Sequence, residues 1–134
     1  MQDIFAARIM TTDLHTVSPE TLVEDAANEM LANEIGSVVV VDEEHQPQGI
    51  LTTTDFVRIV AERKPKDETP VSAYMSESVL TGSAQDSIRE VADRLVTYGI
   101  HHLPIVDETE GLIGMVTTTD LAAYLADVEA PTAV

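Results

Sequence analysis

The side chains with the most chemical potential lie in two seven-residue stretches. Gly49-Ile50-Leu51-Thr52-Thr53-Thr54-Asp55 recurs 65 positions later as Gly114-Met115-Val116-Thr117-Thr118-Thr119-Asp120. Each runs from a strand-like apolar pair through a cluster of hydroxyls into an apolar, helix-like segment that begins near Phe56 or Leu121. At such a junction the first backbone N–H groups of the helix have no intrahelical partner and lie at the positive end of its dipole. They therefore attract a phosphate or a carboxylate. Thr52 and Thr117 add hydroxyls, and Asp55 and Asp120 can accept hydrogen bonds from a diol such as a ribose. The same residues also make a plain structural cap, because Thr at the N-cap and Asp in the first turn stabilise a helix without any ligand. Repetition in equivalent places weakens the plain-cap reading, although duplication copies caps as well.

Other chemistry finds little support. His101-His102 is not a metal constellation by itself, since adjacent strand residues point to opposite faces and no Cys completes a set. Thr52 and Asp55 lack a sequence-adjacent base or a nucleophile elbow. No catalytic residue and no catalytic cofactor is expected, and the chain is read as a non-enzyme. With no Cys there is also no disulfide framework.

The charge narrows the partners. Against 24 acidic residues stand 7 basic ones, for a formal net charge of −17. That field repels nucleic acid and anionic membranes, whose binding needs a basic surface. The longest apolar run, Val38 to Val41, is strand-sized, far short of the ~20 residues of a membrane helix. The N-terminus has no basic segment followed by a long apolar one, so a cytoplasmic location is expected. A folded, acidic, Lys-poor chain resembles the proteins of halophiles, where salt shortens the screening length to roughly 3 Å at 1 M. The carboxylates also raise a salt or Mg²⁺ sensor as an option, but a solvated acidic surface explains them more simply.

The elements that position the two motifs follow from periodicity. Arg8 to Val17 reads as mostly extended, and Ile4 and Phe5 are expected to pack on the body. Ser18-Pro19 reads as a helix start, with Val23, Ala26, Ala27, Met30 and Leu31 at helical spacing up to Asn33. Ser37 to Val41 is a β-branched run, the mark of a strand covered on both faces. Gln48 to Thr52 is a second strand and Thr54 to Arg63 a second helix. Lys64 to Pro70, with two prolines among polar residues, is the linker, after which the pattern restarts without a gap: Met10 matches Met75, Ser18 matches Ser83, and Val41-Asp42-Glu43 matches Val106-Asp107-Glu108. The expected domains are a first repeat over 1–64, a second over 71–128 and a tail over 129–134. The fold class is α+β: two β-α-β-β-α repeats related by a pseudo-two-fold, sheets packed together with helices outside, their junctions facing a common cleft.

These residues resemble a tandem pair of cystathionine-β-synthase (CBS) domains, a Bateman module, over roughly Arg8 to Ala126. The family's pattern of Gly, hydrophobic, any, Thr or Ser, two of any kind, then Asp or Asn is met from Gly49 to Asp55 and from Gly114 to Asp120. Gly99-Ile100-His101-His102-Leu103-Pro104-Ile105-Val106-Asp107 is similar to the family's strand ending in Leu-Pro-hydrophobic-Val-Asp. The resemblance implies a regulatory module that binds an adenosyl ligand, of AMP, ADP, ATP or S-adenosylmethionine type, between the repeats and signals to an effector protein. It implies a first site of Leu14, His15, Ile35, Thr52 and Asp55, with His101 and His102 reaching across to a phosphate. It implies a second of Val79, Leu80, Ile100, Thr117 and Asp120, with Gly36 and Ser37 opposite and no basic residue in the equivalent place. Unperturbed imidazoles would strengthen phosphate binding as pH falls. A homodimer through the helices is also implied. Fusions with inosine monophosphate dehydrogenase exist in the family, but the separate catalytic barrel needs about 250 residues. The alternative is a ligand-free dimerisation or scaffold module in which the Thr-Asp motifs only cap helices.

Overall fold

The computed structural model describes residues 4–77 and 79–129, so the tail expected over 129–134 lies, beyond Glu129, outside the described residues. In chain order it contains α1 (Ala6–Ile9), β1 (Thr16–Val17), α2 (Val23–Asn33), β2 (Ser37–Val41), β3 (Pro47–Thr52) and α3 (Thr53–Ala61). A 3-10 turn (Val71–Ala73) follows, then α4 (Ile88–Tyr98), β4 (His102–Asp107), β5 (Gly111–Thr117) and α5 (Thr118–Glu129). The fold class is α+β, with the repeat plain in the order of elements.

The chain divides into two compact units whose boundaries are displaced from the repeats. Residues His15–Val79 form one, and the segment up to Leu14 joins Leu80 onward in the other. Each unit is thus one repeat's core plus the lead-in of the other repeat.

In the His15–Val79 unit the sheet order is β1-β2-β3, with β1 parallel and β3 antiparallel to β2. Val38 and Val40 enter the core with Val23, Ala26, Met30, Leu51, Ile59 and Val71, while Val39 on the opposite face is buried too. That burial explains the unbroken valine run. Ser76 exchanges backbone hydrogen bonds with Ile50 (2.9 and 3.1 Å), adding a bridge beyond β3. Gly49 is required beside it: a Cβ there would lie 2.6 Å from the Met75 sulfur. Tyr74 donates to Glu62 Oε1 at 2.7 Å, which ties the same segment to the end of α3.

The other unit repeats this plan. β4 and β5 pair antiparallel, and Gly82 bridges Ile105 where the first unit has β1. Thr11 exchanges backbone hydrogen bonds with Met115 (2.8 and 3.0 Å), and the Met10 sulfur sits 2.5 Å from where a Gly114 Cβ would be. The core is Ala6, Val91, Leu95, Leu103, Ile105 and Val116. Met10 and Met75, matched in the sequence, thus play one role in two units: each fills the space left by a glycine.

Three local expectations are corrected. The helix expected from Ser18-Pro19 is α2, which starts at Val23 because Leu22 is held extended in a bridge to Pro70. Its first N–H groups are satisfied by the linker, Val23 donating to Thr69 O (2.9 Å) and Glu24 to Lys66 O (3.2 Å). Ser18 instead closes a turn with Thr21. Arg8 to Val17 departs from the expected extended reading at its start, where α1 takes in Arg8 and Ile9, while Thr11 bridges Met115 and Thr16–Val17 form β1; Ala6 donates to Asp86 O at 2.8 Å, as Val71 does to Thr21 O at 2.7 Å in the other unit. Phe5, expected to pack, is 50% exposed.

Candidate functional site

Each Thr-Asp motif lies where a core strand becomes a helix. In the first, β3 ends at Thr52 and α3 begins at Thr53. The Thr52 N–H donates to Asp55 Oδ2 at 2.8 Å, so the carboxylate reaches back over the helix start. Asp55 Oδ1 accepts from Arg58 Nη2 at 2.9 Å, and Asp55 is only 4% exposed. The start of β2 lies alongside: Ser37 is the register partner of Thr52, and Thr53 N–H donates to Gly36 O at 3.3 Å.

The second junction, from β5 into α5, has the same frame. Thr117 N–H donates to Asp120 Oδ2 (2.9 Å), and Asp120 N–H donates to Thr117 Oγ1 (3.1 Å). His102 is the register partner of Thr117, and Thr118 N–H donates to His101 O at 3.1 Å. Where the first unit has Gly36 and Ser37, the second has two imidazoles. Asp120 differs from Asp55 in its other oxygen: Oδ1 faces the exposed Thr11 hydroxyl at 3.4 Å, beyond the roughly 2.5–3.0 Å of a firm O–H···O bond.

The expected site residues fall in both units. His15, Ile35, Gly36, Ser37, Thr52, Asp55 and Val79 belong to one, and Leu14, Leu80, Ile100, His101, His102, Thr117 and Asp120 to the other. Within the first, Ile35, Gly36 and Ser37 lead into β2 beside the Thr52–Asp55 junction, with Ile35 packed on the core. His15 engages α2 through Nδ1, 3.1 Å from Glu29 Oε1. Within the second, Ile100 to His102 lead into β4 beside Thr117 and Asp120, while Leu80 and Ile100 pack on the core. Val79 and Leu14 are half-buried. Two neighbours of the motifs were missed in the sequence. Arg58 was legible as an acid–base pair three apart on a helix. Thr11 had no local signal, since it lies 109 positions from Asp120.

The half-buried His102 is pushed below its usual 6.5, first by burial and then by the charge of His101, against the opposing pull of Asp120. Any help it gives to an anion therefore sets in at lower pH than for an unperturbed imidazole. Among the described residues no group of three His, Cys, Asp or Glu is placed to hold a metal ion, and no helix is long and apolar enough to cross a membrane.

Comparison with known proteins agrees with this architecture. The CBS domain model matches residues 6–62 and again 71–127, and the chain belongs to that family. A 17.7 kDa protein of Acidianus ambivalens, itself uncharacterised, is 33% identical over 122 residues, spanning 91% of this chain and 73% of that one. An inosine-5'-monophosphate dehydrogenase of Aquifex aeolicus is 37% identical over 108 residues, 79% of this chain but only 21% of the enzyme. The likeness to that enzyme is therefore to a minor part of it. In structure, the CBS domain pair of protein MJ0100, crystallised with 5'-methylthioadenosine and S-adenosyl-L-methionine, superposes with a TM-score of 0.86 at 22% identity, covering 93% of this chain and 98% of that one. The repeat identified from the Thr-Asp motifs is a tandem CBS pair.

Proposed function

We propose that this CBS pair is a regulatory binding module: an adenosyl compound, either an adenine nucleotide or one of the S-adenosylmethionine type, engages its Thr-Asp junctions and alters a partner protein's activity. The observation that carries this reading is a carboxylate set in advance at a helix start, twice over. The preceding Thr N–H holds one oxygen of Asp55 and of Asp120 at 2.8 and 2.9 Å. Fixing an acceptor beforehand lowers the ordering cost of binding a diol. The adenosyl compounds bound by the CBS pair of MJ0100 support the choice of ligand class. The ligand can signal only through a difference in affinity between two arrangements of the protein. No bond-making step is assigned to the chain.

Titration calorimetry in concentrated KCl with AMP, ATP, S-adenosylmethionine and 5'-methylthioadenosine tests the reading. Binding of at least one, weakened by Asp120→Asn, is expected; no heat and no thermal shift at millimolar ligand would leave the junctions as caps.

Self-association is a second part of the proposal, and a specific pattern favours it. Leu31 is 77% exposed and Val96, its counterpart one repeat on, 81%; Val60 and Leu125, likewise paired by the repeat, are 76% and 55%. Each pair sits on equivalent helices, α2 with α4 and α3 with α5. Duplicated exposure of this kind fits a homodimer that covers it. Light scattering after chromatography should give a dimer in the wild type and a monomer in Leu31→Glu/Val96→Glu.

A further inference from the structure

We propose that Arg58 makes the two junctions unequal: it closes Asp55 to a ribose diol and leaves Asp120 as the carboxylate that takes one. The proposal rests on the adenosyl-binding reading above and names which half of the duplicated motif performs it.

To hold both hydroxyls of a ribose, a carboxylate must offer acceptor positions that are free and reachable. Asp55 Oδ2 accepts from Thr52 N–H at 2.8 Å and from Thr52 Oγ1 at 3.4 Å, and Oδ1 accepts from Arg58 Nη2 at 2.9 Å, so each oxygen already has a partner and offers a diol only its remaining lone pair. The Arg58 bond joins opposite charges, and such bonds are about twice as strong as those between neutral groups. Arg58 stands one turn along α3 from Asp55, always within reach. A neutral diol that needs both oxygens meets Oδ1 already engaged by a cation tethered one turn away on the same helix. The carboxylate is itself 4% exposed, which limits approach from solvent.

The second junction lacks the obstacle. Ala123 occupies the position equivalent to Arg58 and has no donor. Asp120 Oδ2 is held by Thr117 N–H at 2.9 Å, as in the first repeat, but among the described residues the hydrogen-bond partner of Oδ1 is the exposed Thr11 hydroxyl at 3.4 Å, and the nearby His102, whose proton affinity Asp120 raises, is held below its usual value by burial. A rotatable hydroxyl at that distance yields to a ligand far more easily than an ion pair. The duplicated motif thus carries one poised carboxylate and one that is locked.

Adenosine is the probe, because it presents the diol without a phosphate that Arg58 would attract, and 2'-deoxyadenosine is the control that lacks it. Equilibrium dialysis of the full chain in concentrated KCl should give one adenosine per chain. Asp120→Asn should weaken that binding about tenfold or more, as loss of a charged acceptor does. Arg58→Ala should raise the stoichiometry to two, and Arg58→Ala/Asp120→Asn should return it to one. In each case 2'-deoxyadenosine should bind more weakly. The Arg58 side chain is 59% exposed, so its removal should leave the chain folded, which a thermal midpoint checks; Arg58→Met, which keeps the apolar stem, is the second variant. Two equal sites in the wild type, or a stoichiometry of one in both Arg58 variants, overturns the inference while leaving adenosyl binding in place. If neither adenosine, AMP nor S-adenosylmethionine binds the wild type or the Arg58 variants, both readings fall.

Discussion

Glu34 and Gly99 occupy the same place one repeat apart, each ending the first helix of its repeat in the left-handed region, at φ 53° and 62°. Glycine enters that region freely, whereas an L side chain pays about 1–2 kcal/mol.

Glu34→Gly should therefore stabilise the chain. The relief exceeds the roughly 0.5–1 kcal/mol that a glycine loses in backbone entropy, leaving a net gain of about 0.5–1 kcal/mol. Gly99→Ala should cost a similar amount, and the cost is conformational, because among the described residues beyond its chain neighbours a Cβ at Gly99 meets nothing within 4 Å. Urea unfolding of both variants checks the pair; equal stability of Glu34→Gly and the wild type would show that the Glu34 backbone is not strained.

The methionines packed on Gly49 and Gly114 should couple unequally to them. The three atoms nearest to a Cβ on Gly114 all belong to the Met10 side chain, at 2.5, 2.9 and 3.3 Å. A Cβ on Gly49 meets Met75 and also the Ser76 carbonyl oxygen, at 2.9 Å, which is backbone and cannot swing away. Overpacking of this kind costs about 1–3 kcal/mol. In double-mutant cycles, Met10→Ala should rescue Gly114→Ala more fully than Met75→Ala rescues Gly49→Ala. Equal coupling energies would count against backbone contact as the difference.

Much of this was legible in the chain. The valine run Ser37–Val41 marked a strand buried on both faces, and the recurring Thr-Asp stretch placed two strand-to-helix junctions where they are found. What failed depended on partners distant in sequence. Ser18-Pro19 has good local helix-start chemistry, but Pro70 and Thr69 fix the entry to α2 several residues later. The lead-in of each repeat belongs to the other unit, so Thr11 beside Asp120 was out of reach of any local pattern. Arg58, by contrast, is a local signal, an acid–base pair three residues apart on one helix.

Salt should stabilise this protein well beyond the usual small effect. With a formal charge of −17, unscreened repulsion opposes the compact state, and screening to roughly 3 Å at 1 M removes most of it. The thermal midpoint should rise steeply from 0.1 M to about 1 M KCl. NaCl should match KCl if screening is the cause; an effect confined to one cation would point to specific binding.

Acidification should reveal two separate losses of stability. His102 is held below 6.5, chiefly by its burial, so the unfolded chain takes up a proton there before the folded one does. Its contribution is complete above about pH 6.5 and is lost as pH falls through the depressed folded value. Asp86 is held below 3.8, first by the Ser83 N–H (2.9 Å) and then by the Arg94 ion pair (2.7 Å). By the same rule its contribution is complete above about pH 4 and is lost as pH falls through its own folded value. Neutralising the many surface carboxylates works in the opposite sense by relieving repulsion, so raw curves mix the effects. Differences between wild type and variant, taken at each pH in concentrated KCl, isolate the two groups. His102→Gln should flatten the upper window and Asp86→Asn the lower one. If the His102→Gln and wild-type profiles stay parallel between about pH 7.5 and pH 4.5, burial does not hold that imidazole neutral in the folded chain.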